Sequence, residues 1–306
     1  MSRAARGLTV QGILAVACGG VGWSAHCTTV LNQQALPQYQ DYVARAEQAM
    51  AARWAKGDLA WVPDSARPQA MTELNAGHQV RWNISDAALN QGLAELNAAV
   101  VDWVGAIRIR SAGMQDLLTV LQDYPRYPSI YKPLIYDCKS QPVAGSSPPA
   151  YDVMFGIQST YRAAVIPLHY SLEAKTRTEY SSDGQQPGSM FLVHSRSGEI
   201  RESDSGVPGR MDFLEPYHDH GALWVLNTYW RARQSGPDLY VEFETITLAR
   251  SVESFYCKIG VFRVPKILIA GAMESIPNES VEVMLAGTKA ECERAAAHRE
   301  TGLPRQ

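Results

Sequence analysis

Apolar residues recur at helical spacing near the start of the chain. One set of apolar residues recurs at steps of four, three, four and four positions, which places it on a single face of a helix. Asp41, Arg45 and Gln48 lie on other faces. Pro37 suits a first helical turn, and Gly57 suits the end of a helix. We therefore predict a helix over this stretch. Its buried face comprises Tyr39, Val43, Ala46, Met50 and Trp54.

Alternation of apolar and polar residues replaces helical spacing further along the chain. Residues 58–78 are rich in Pro, Ala and Gly and predict a loop, and residues 78–84 alternate like a strand. Residues 101–110 alternate strongly, and the leucines of residues 114–122 have the spacing of a helix. Strand-like runs separated by turn signals follow at 134–143, 151–160, 163–178, 190–196, 223–232 and 239–249. This arrangement predicts an antiparallel meander.

The end of the chain returns to helical spacing. From Pro277 to about Ala297, apolar residues recur at steps of four, three, four and three, which predicts an amphipathic helix. Those residues are Val281, Leu285, Thr288, Cys292 and Ala295. The apolar stretch before it, 255–273, is interrupted by Pro265. It fits a helix over the sheet, a lid, or simply more core.

This order of elements favours an α+β fold. A curved antiparallel sheet needs a cover for its apolar concave face, and the C-terminal helix is the predicted element long enough to provide it. We therefore predict a helix-grip fold, in which the sheet wraps around the long C-terminal helix and leaves a cavity. The predicted boundaries are a signal plus tether at 1–30, an N-terminal helical extension at 31–97, the helix-grip domain at 98–297 and a tail at 298–306.

The composition agrees with a globular domain. Hydrophobic residues make up 46% of the 306 residues and charged residues 19%, which is enough apolar material for a core. The net charge of -3 lacks the basic excess typical of nucleic-acid-binding domains, so we expect no nucleic-acid partner.

The N-terminus has the pattern of an export signal. Arg3 and Arg6 precede an apolar stretch, and small residues at Ala15 and Ala17 suit cleavage by a signal peptidase. Cys18 follows directly, so the stretch also resembles a bacterial lipobox, although Ala15 stands where leucine is usual. We expect a periplasmic or outer-envelope protein with a possible membrane tether through Cys18. A plain cleaved signal and an uncleaved apolar tail remain open.

The other cysteines are Cys27, Cys138, Cys257 and Cys292, and none shows C-x-x-C spacing. A Cys138–Cys257 or Cys257–Cys292 disulfide is possible in an exported protein. Buried thiols are an equally good interpretation, because free cysteine packs as a small hydrophobe.

The histidines around residue 219 are the most conspicuous candidates for chemistry. His218 and His220 would share one side of a strand, with Asp219 pointing away. A zinc site needs a further ligand, and His169, His194 and Glu215 are candidates that the sequence cannot place. A polar strand entrance is the simpler interpretation, and an acid/base role remains possible because imidazole titrates near neutrality. We expect no metal and no cofactor.

The strand after these histidines presents two different faces. The face with Asn227 and Arg231 is expected to meet solvent or a neighbouring segment. The opposite face, together with the matching face of the next strand, is expected to meet the C-terminal helix. The residues on these two faces are Trp224, Leu226, Thr228 and Trp230 on the first strand, and Val241, Phe243, Thr245 and Thr247 on the next. Glu242 and Glu244 are expected to point outward, with no paired acid nearby. A ligand-lining wall and an ordinary core fit this pattern equally well.

Four stretches resemble the START-like superfamily, also called SRPBCC. They are VDWVGAIRI (101–109), LLTVLQDYPRYPSIYKP (117–133), HGALWVLNTYW (220–230) and ESIPNESVE (274–282). The resemblance covers roughly residues 98–296 and is closest to an uncharacterised bacterial subgroup known from acidobacterial genomes. It implies a helix-grip fold whose cavity takes a lipid, sterol, polyketide or other apolar small molecule. It implies no particular reaction.

Three functions remain open at this point. The first is an exported protein that binds a hydrophobic small molecule or lipid through Tyr127, Tyr131, Trp224, Leu226, Thr228, Trp230, Phe243, Thr245 and Leu285. The second is a cyclase or dehydratase that uses His218, Asp219 or His220 at the cavity rim. The third is an envelope scaffold with a filled cavity. A cavity of several hundred Å³ with His220 facing inward would favour binding or catalysis over a scaffold.

Overall fold

A computed structural model describes residues 28–56, 58, 61–163, 166–182, 190–254, 258–259, 262–263 and 266–301. The predicted export signal, including Cys18, lies outside these residues, as does Cys257.

The helices occupy both ends of the chain and one insertion between strands. They are α1 (Ala35–Ala55), α2 (Arg67–Ala76), α3 (Ala87–Ala94), α4 (Met114–Gln122), α5 (Tyr127–Ile130) and α6 (Lys266–Thr301). Short 3-10 turns lie at Asp64–Ala66, Tyr124–Arg126 and Val252–Ser254. The spacing of apolar residues located α1, α4 and the later part of α6 correctly.

The strands form one large sheet and two small pairs. They are β1 (Thr29–Val30), β2 (Val80–Asn83), β3 (Ala98–Ile109), β4 (Ile135–Pro142), β5 (Ala150–Ala163), β6 (Ile166–Ser182), β7 (Met190–Glu202), β8 (His218–Asp219), β9 (Val225–Ser235), β10 (Asp238–Arg250), β11 (Lys258–Ile259) and β12 (Phe262–Arg263). The eight-stranded sheet has the order β2-β3-β10-β9-β7-β6-β5-β4 and is antiparallel throughout.

The large sheet curves around α6. The helix packs against β2, β3 and β10 in one half of the sheet and against β5 in the other half. At Gly105 of β3 the approach is so close that a Cβ atom would lie 2.5 Å from Cγ1 of Val281 and 2.8 Å from Cδ1 of Leu285. The predicted α+β helix-grip fold is therefore confirmed.

Both faces of the sheet are covered. On the concave face, α4, α5 and α6 enclose a core that contains Leu117, Tyr131, Trp230 and Leu285. On the convex face, α1 encloses a second core that contains Tyr39, Met50, Trp224 and Ile246. The N-terminal extension thus packs directly on the sheet, with Tyr39 Oη donating a hydrogen bond of 2.9 Å to the carbonyl of Ile246.

Three local predictions differ from the structure. The predicted loop 58–78 contains α2, which Pro68 favours at its first turn and Gly77 ends with a φ of 88°. Strand β7 continues to Glu202 and so extends past the predicted run 190–196, because a bulge at Gly198, opposite Lys175 and Thr176, absorbs the extra residue. Helix α6 begins at Lys266, so Pro277 lies inside it and part of the stretch 255–273 is helical.

Candidate functional site

A cavity of about 130 Å³ lies between the concave face of the sheet and α6. Apolar side chains provide most of its wall, among them Leu121, Val193, Trp230, Phe243 and Met284. Its polar lining consists of Thr176, Thr178, Ser195, Thr228, Thr245, Thr247 and Ser280, with the tyrosines Tyr124, Tyr127, Tyr170 and Tyr180. Among the described residues that line this cavity, none carries a charge.

The cavity is smaller than the several hundred Å³ that would favour binding or catalysis over a scaffold. Trp230 on β9 and Phe243 on β10 are opposite each other in the strand register, and their ring centroids lie 4.4 Å apart. These two large side chains occupy part of the space between sheet and helix. The remaining volume is that of a single ring, since cavities of about 150 Å³ bind benzene.

Most of the predicted ligand contacts line this cavity. They are Tyr127, Leu226, Thr228, Trp230, Phe243 and Thr245. Their placement agrees with the alternation along β9 and β10, where every second side chain points toward α6. Their role in binding remains a prediction.

Trp224 does not line the cavity, and its predicted placement was wrong. It packs in the core beneath α1, where its Nε1 donates a hydrogen bond of 2.9 Å to Oδ1 of Asp219. The predicted strand begins two residues too early, because β9 begins at Val225 and Trp224 belongs to the connection that precedes it.

Tyr131 and Leu285 also lie outside the cavity lining, within the core around it. Tyr131 Oη is 3.0 Å from Oγ1 of Thr288 on α6, so the two hydroxyls bond each other. Leu285 fills the space above Gly105. Both residues hold α6 on the sheet.

The tyrosine hydroxyls near α4 and α5 are already used by the protein. Tyr127 Oη and Tyr180 Oη each donate to the carbonyl of Leu121, at 2.7 Å. Tyr124 Oη lies 2.6 Å from Tyr180 Oη and donates to it. Burial raises the pKa of each of these three phenols, so they are poor proton donors to a ligand.

The two histidines next to Asp219 lie in different environments. His218 is exposed, whereas His220 is 2% exposed and does not line the cavity. Nδ1 of His220 is 3.2 Å from Oε1 of Glu202, and its Nε2 is 3.7 Å from Oδ1 of Asp204. The imidazole therefore faces neither the cavity nor solvent, and the expected acid/base role at the cavity rim has no support in its position.

The candidate third metal ligands lie elsewhere. His169 contacts Thr160 at 2.9 Å, and His194 lies 3.6 Å from Glu47 on α1. Glu215 forms a backbone bridge with His218. Within the described ranges, no group of three or more His, Cys, Asp or Glu residues has an arrangement that could hold a metal ion.

Asp219 supports the local backbone and has a displaced pKa. Its Oδ1 accepts hydrogen bonds from the Gly221 amide at 2.7 Å and from Trp224. Burial, together with the charge of Glu202, raises the pKa of Asp219 to about 7. Burial alone would lower the pKa of His220, but its hydrogen bond to Glu202 and the surrounding carboxylates raise it.

A buried charge cluster lies on the opposite face of β9 and β10, beneath α1. It consists of Asp102, Arg231, Glu242 and Glu244, each no more than 3% exposed, together with Arg53 of α1. Arg231 forms ion pairs with both glutamates, and Nη2 of Arg53 lies 3.7 Å and 3.6 Å from their carboxylates. Tyr42 Oη donates to Asp102 at 2.7 Å.

The sequence reasoning missed this cluster. Glu242 and Glu244 do point away from α6, as predicted, but α1 buries them, and the expectation that no paired acid lies nearby was wrong, because Asp102 interacts with Glu244. Burial and the charge of Glu244 raise the pKa of Asp102, and burial raises that of Glu244. Arg231 opposite Glu242 in an antiparallel pair was the available signal.

The described cysteines, Cys138 and Cys292, are buried free thiols. Burial raises the pKa of each to about 12, so neither is a reactive thiolate at neutral pH.

Comparison with known proteins does not assign a function to this chain. No family model matches the chain, and no curated protein matches it. Solved structures similar to this chain include a STAR-related lipid transfer protein fragment from Xanthomonas axonopodis (11% identity, 69% of this chain and 98% of that chain, TM-score 0.41). Human STARD10 (11%, 78% and 84%, TM-score 0.40) and the Zhui aromatase/cyclase from a Streptomyces species (11%, 66% and 96%, TM-score 0.40) are others. These sequence identities and TM-scores are too low to support a conclusion about function.

No helix within the described ranges is long and apolar enough to cross a membrane.

Proposed function

We propose that this chain is an exported START-like protein that binds a hydrophobic small molecule between its sheet and C-terminal helix. The observation that supports this proposal is the uncharged, mainly apolar cavity beneath α6. Burial of apolar ligand surface there supplies the driving force, at about 25 cal/mol per Å².

The geometry supports binding over the two alternatives. The cyclase or dehydratase hypothesis relied on His218, Asp219 and His220, none of which lines the cavity. The scaffold hypothesis requires a filled interior, whereas an unfilled volume of about 130 Å³ remains beside Trp230 and Phe243. A ligand of ring size fits that volume, and a long lipid would have to extend out of it.

Export is the second part of the proposal and is supported by the pattern of residues 1–18. Arg3, Arg6 and the small residues before Cys18 form a signal of the secretory type. Fractionation of cells that express the full chain, with and without Cys18→Ser, tests it. We expect the wild type outside the cytosol, and a cytosolic wild type with an intact N-terminus would contradict export.

Native mass spectrometry tests binding. The full chain is purified without detergent from a bacterial host, and bound small molecules are identified after extraction. The variant Val193→Phe fills the cavity, because Val193 lies in its wall, and Thr119→Val on the exposed face of α4 is the control. We expect an apolar adduct on the wild type and the control that is lost from Val193→Phe. No adduct on any form, from this host or from the native one, would contradict the proposal.

A further inference from the structure

Four hydroxyl groups form a row across the floor of the cavity. Thr178, Ser195, Thr228 and Thr245 lie on β6, β7, β9 and β10, and each is the register partner of the next. All four line the cavity. Directly opposite residues in antiparallel strands have Cβ atoms about 5 Å apart, so the row is continuous.

Some of the hydroxyl groups that line the cavity form hydrogen bonds with other groups of this chain. Oγ1 of Thr178 and Oγ of Ser195 lie 2.8 Å apart and bond each other. Next to the row, Thr176 donates to the carbonyl of Val153 at 3.3 Å, and Thr247 donates to that of Val101 at 3.2 Å. These hydroxyls contribute to holding the strands together.

Thr228 and Thr245 differ from these neighbours. Neither hydroxyl has a hydrogen-bond partner among the described residues, although Thr245 is only 5% exposed. The two side chains are adjacent, one on β9 and one on β10, and both point into the cavity. Thr228 is half-buried, and both hydroxyls border the cavity. An unpaired hydroxyl in a largely enclosed site is unfavourable, so a ligand that offers a hydrogen-bonding group in the cavity would satisfy this pair.

The surroundings of Thr228 and Thr245 disfavour a charged ligand. The charged residues of the same two strands, Arg231, Glu242 and Glu244, point to the opposite face and bond one another. No described lining residue offers a counter-ion. Burying an ionised ligand without a partner is strongly unfavourable, whereas a neutral hydroxyl or carbonyl matches the two threonines.

We infer that Thr228 and Thr245 are specificity-determining residues that select a neutral, ring-sized ligand carrying one hydroxyl or carbonyl group. The inference rests on the proposed function, since it assigns the polar contact of the same cavity. The apolar wall takes the body of the ligand, and the two hydroxyls fix its orientation: one donates to a ligand oxygen, and the other accepts a ligand proton where there is one.

Three probes of nearly equal shape test this inference: toluene, 4-methylphenol and 4-methylbenzoate. Their dissociation constants for the full chain are measured by ligand-observed NMR and calorimetry, after removal of any co-purified molecule. The test variant is Thr228→Val/Thr245→Val, which keeps the side-chain shapes and removes both hydroxyls. Thr228→Ser keeps a hydroxyl at that position and removes only the methyl group, and Thr119→Val on α4 controls for the substitution itself.

We expect 4-methylphenol to bind about tenfold more tightly than toluene, since one net hydrogen bond gives an effect of this size. We also expect this difference in affinity to vanish in the double valine variant and to persist in Thr228→Ser and Thr119→Val. Of the three probes, 4-methylbenzoate should bind weakest. Two results would overturn the inference while leaving the proposed function intact. One is that toluene binds as tightly as 4-methylphenol, and the other is that 4-methylphenol still binds more tightly than toluene in the double valine variant. Tightest binding of 4-methylbenzoate would overturn the neutral class. Failure of all three to bind would count against both proposals.

Discussion

The two faces of β9 and β10 solve the problem of buried polar groups in different ways. Toward α6, the strands present the unpaired hydroxyls of Thr228 and Thr245 in a cavity. Toward α1, the same strands present Arg231, Glu242 and Glu244, in which Arg231 forms ion pairs with both glutamates. Both sets are largely buried, but of the two only the hydroxyls lie beside an open volume.

The difference indicates which face suits the proposed ligand. Buried ions require fixed partners at all times, because an uncompensated buried charge is severely destabilising. A neutral hydroxyl costs far less when unpaired, so it is compatible with a site that fills and empties. We therefore assign stability and the docking of α1 to the convex face, and ligand recognition to the concave face.

The largest expected effect comes from breaking the ionic face. Arg231→Met leaves Glu242 and Glu244 buried without their main partner and should lower the free energy of unfolding by about 3–5 kcal/mol. Urea denaturation measures the loss. The matched variant Arg231→Met/Glu242→Leu/Glu244→Met removes the three charges of β9 and β10 together, leaves Arg53 and Asp102 in place, and should recover part of the stability. A loss below about 1 kcal/mol in the single variant would show that solvent reaches the cluster, so that the contrast between the faces is wrong.

The next effect concerns the contact of α6 with the concave face. Gly105→Ala places a methyl group 2.5 Å from Val281 and should lower the unfolding free energy by about 1–3 kcal/mol. Gly92→Ala is the matched control, because a Cβ atom there has no neighbour within 4 Å in the middle of α3, and helix propensity favours alanine by about 0.5–1 kcal/mol. Thermal unfolding of the two variants should shift in opposite directions. Equal shifts would show that α6 does not approach β3 so closely.

A smaller effect follows from the displaced pKa of Asp219, which ends β8 next to the convex core. Its pKa of about 7 lies above the ordinary aspartate value of 3.8, so the folded chain keeps a proton that the unfolded chain loses. The resulting stabilisation is complete below about pH 4 and is lost as the pH rises through 7. The raised pKa of His220 acts in the same direction, since that contribution is present below 6.5 and is lost as the pH rises through the folded value.

We therefore expect the contribution of Asp219 to wild-type stability to fall by about 1–2 kcal/mol between pH 5 and pH 8, after allowance for solvent screening. Burial lowers the pKa of His194 to about 4, which acts in the opposite direction, so the comparison with a variant at Asp219 is the informative one. Asp219→Asn keeps an oxygen acceptor for Gly221 and Trp224 but cannot ionise, so its stability should fall less over that range. Parallel pH profiles for the two proteins, measured by urea denaturation, would contradict the displaced pKa. Affinity for 4-methylphenol should stay constant from pH 5 to 8, because the described cavity lining holds no carboxylate, imidazole or amine.

Periodicity in the sequence predicted the architecture well. Helical spacing located α1 and the later part of α6, and alternation located most strands of the large sheet, because both periods reflect the burial of one face. The same alternation placed Thr228, Trp230, Phe243 and Thr245 on the wall that lines the cavity. It failed at Trp224, because alternation holds only where the strand ladder exists.

The sequence by itself therefore determined the helix-grip fold and the face of each strand that meets α6. Only the tertiary structure decided which polar groups are paired. Glu242 and Glu244 look solvent-exposed until α1 covers them, and His218 and His220 look equivalent until Glu202 approaches one of them. Likewise, Thr178 bonds Ser195 across the sheet, whereas Thr228 has no such bond among the described residues. Pairing depends on distances between segments far apart in the chain, and local periodicity carries no information about those distances.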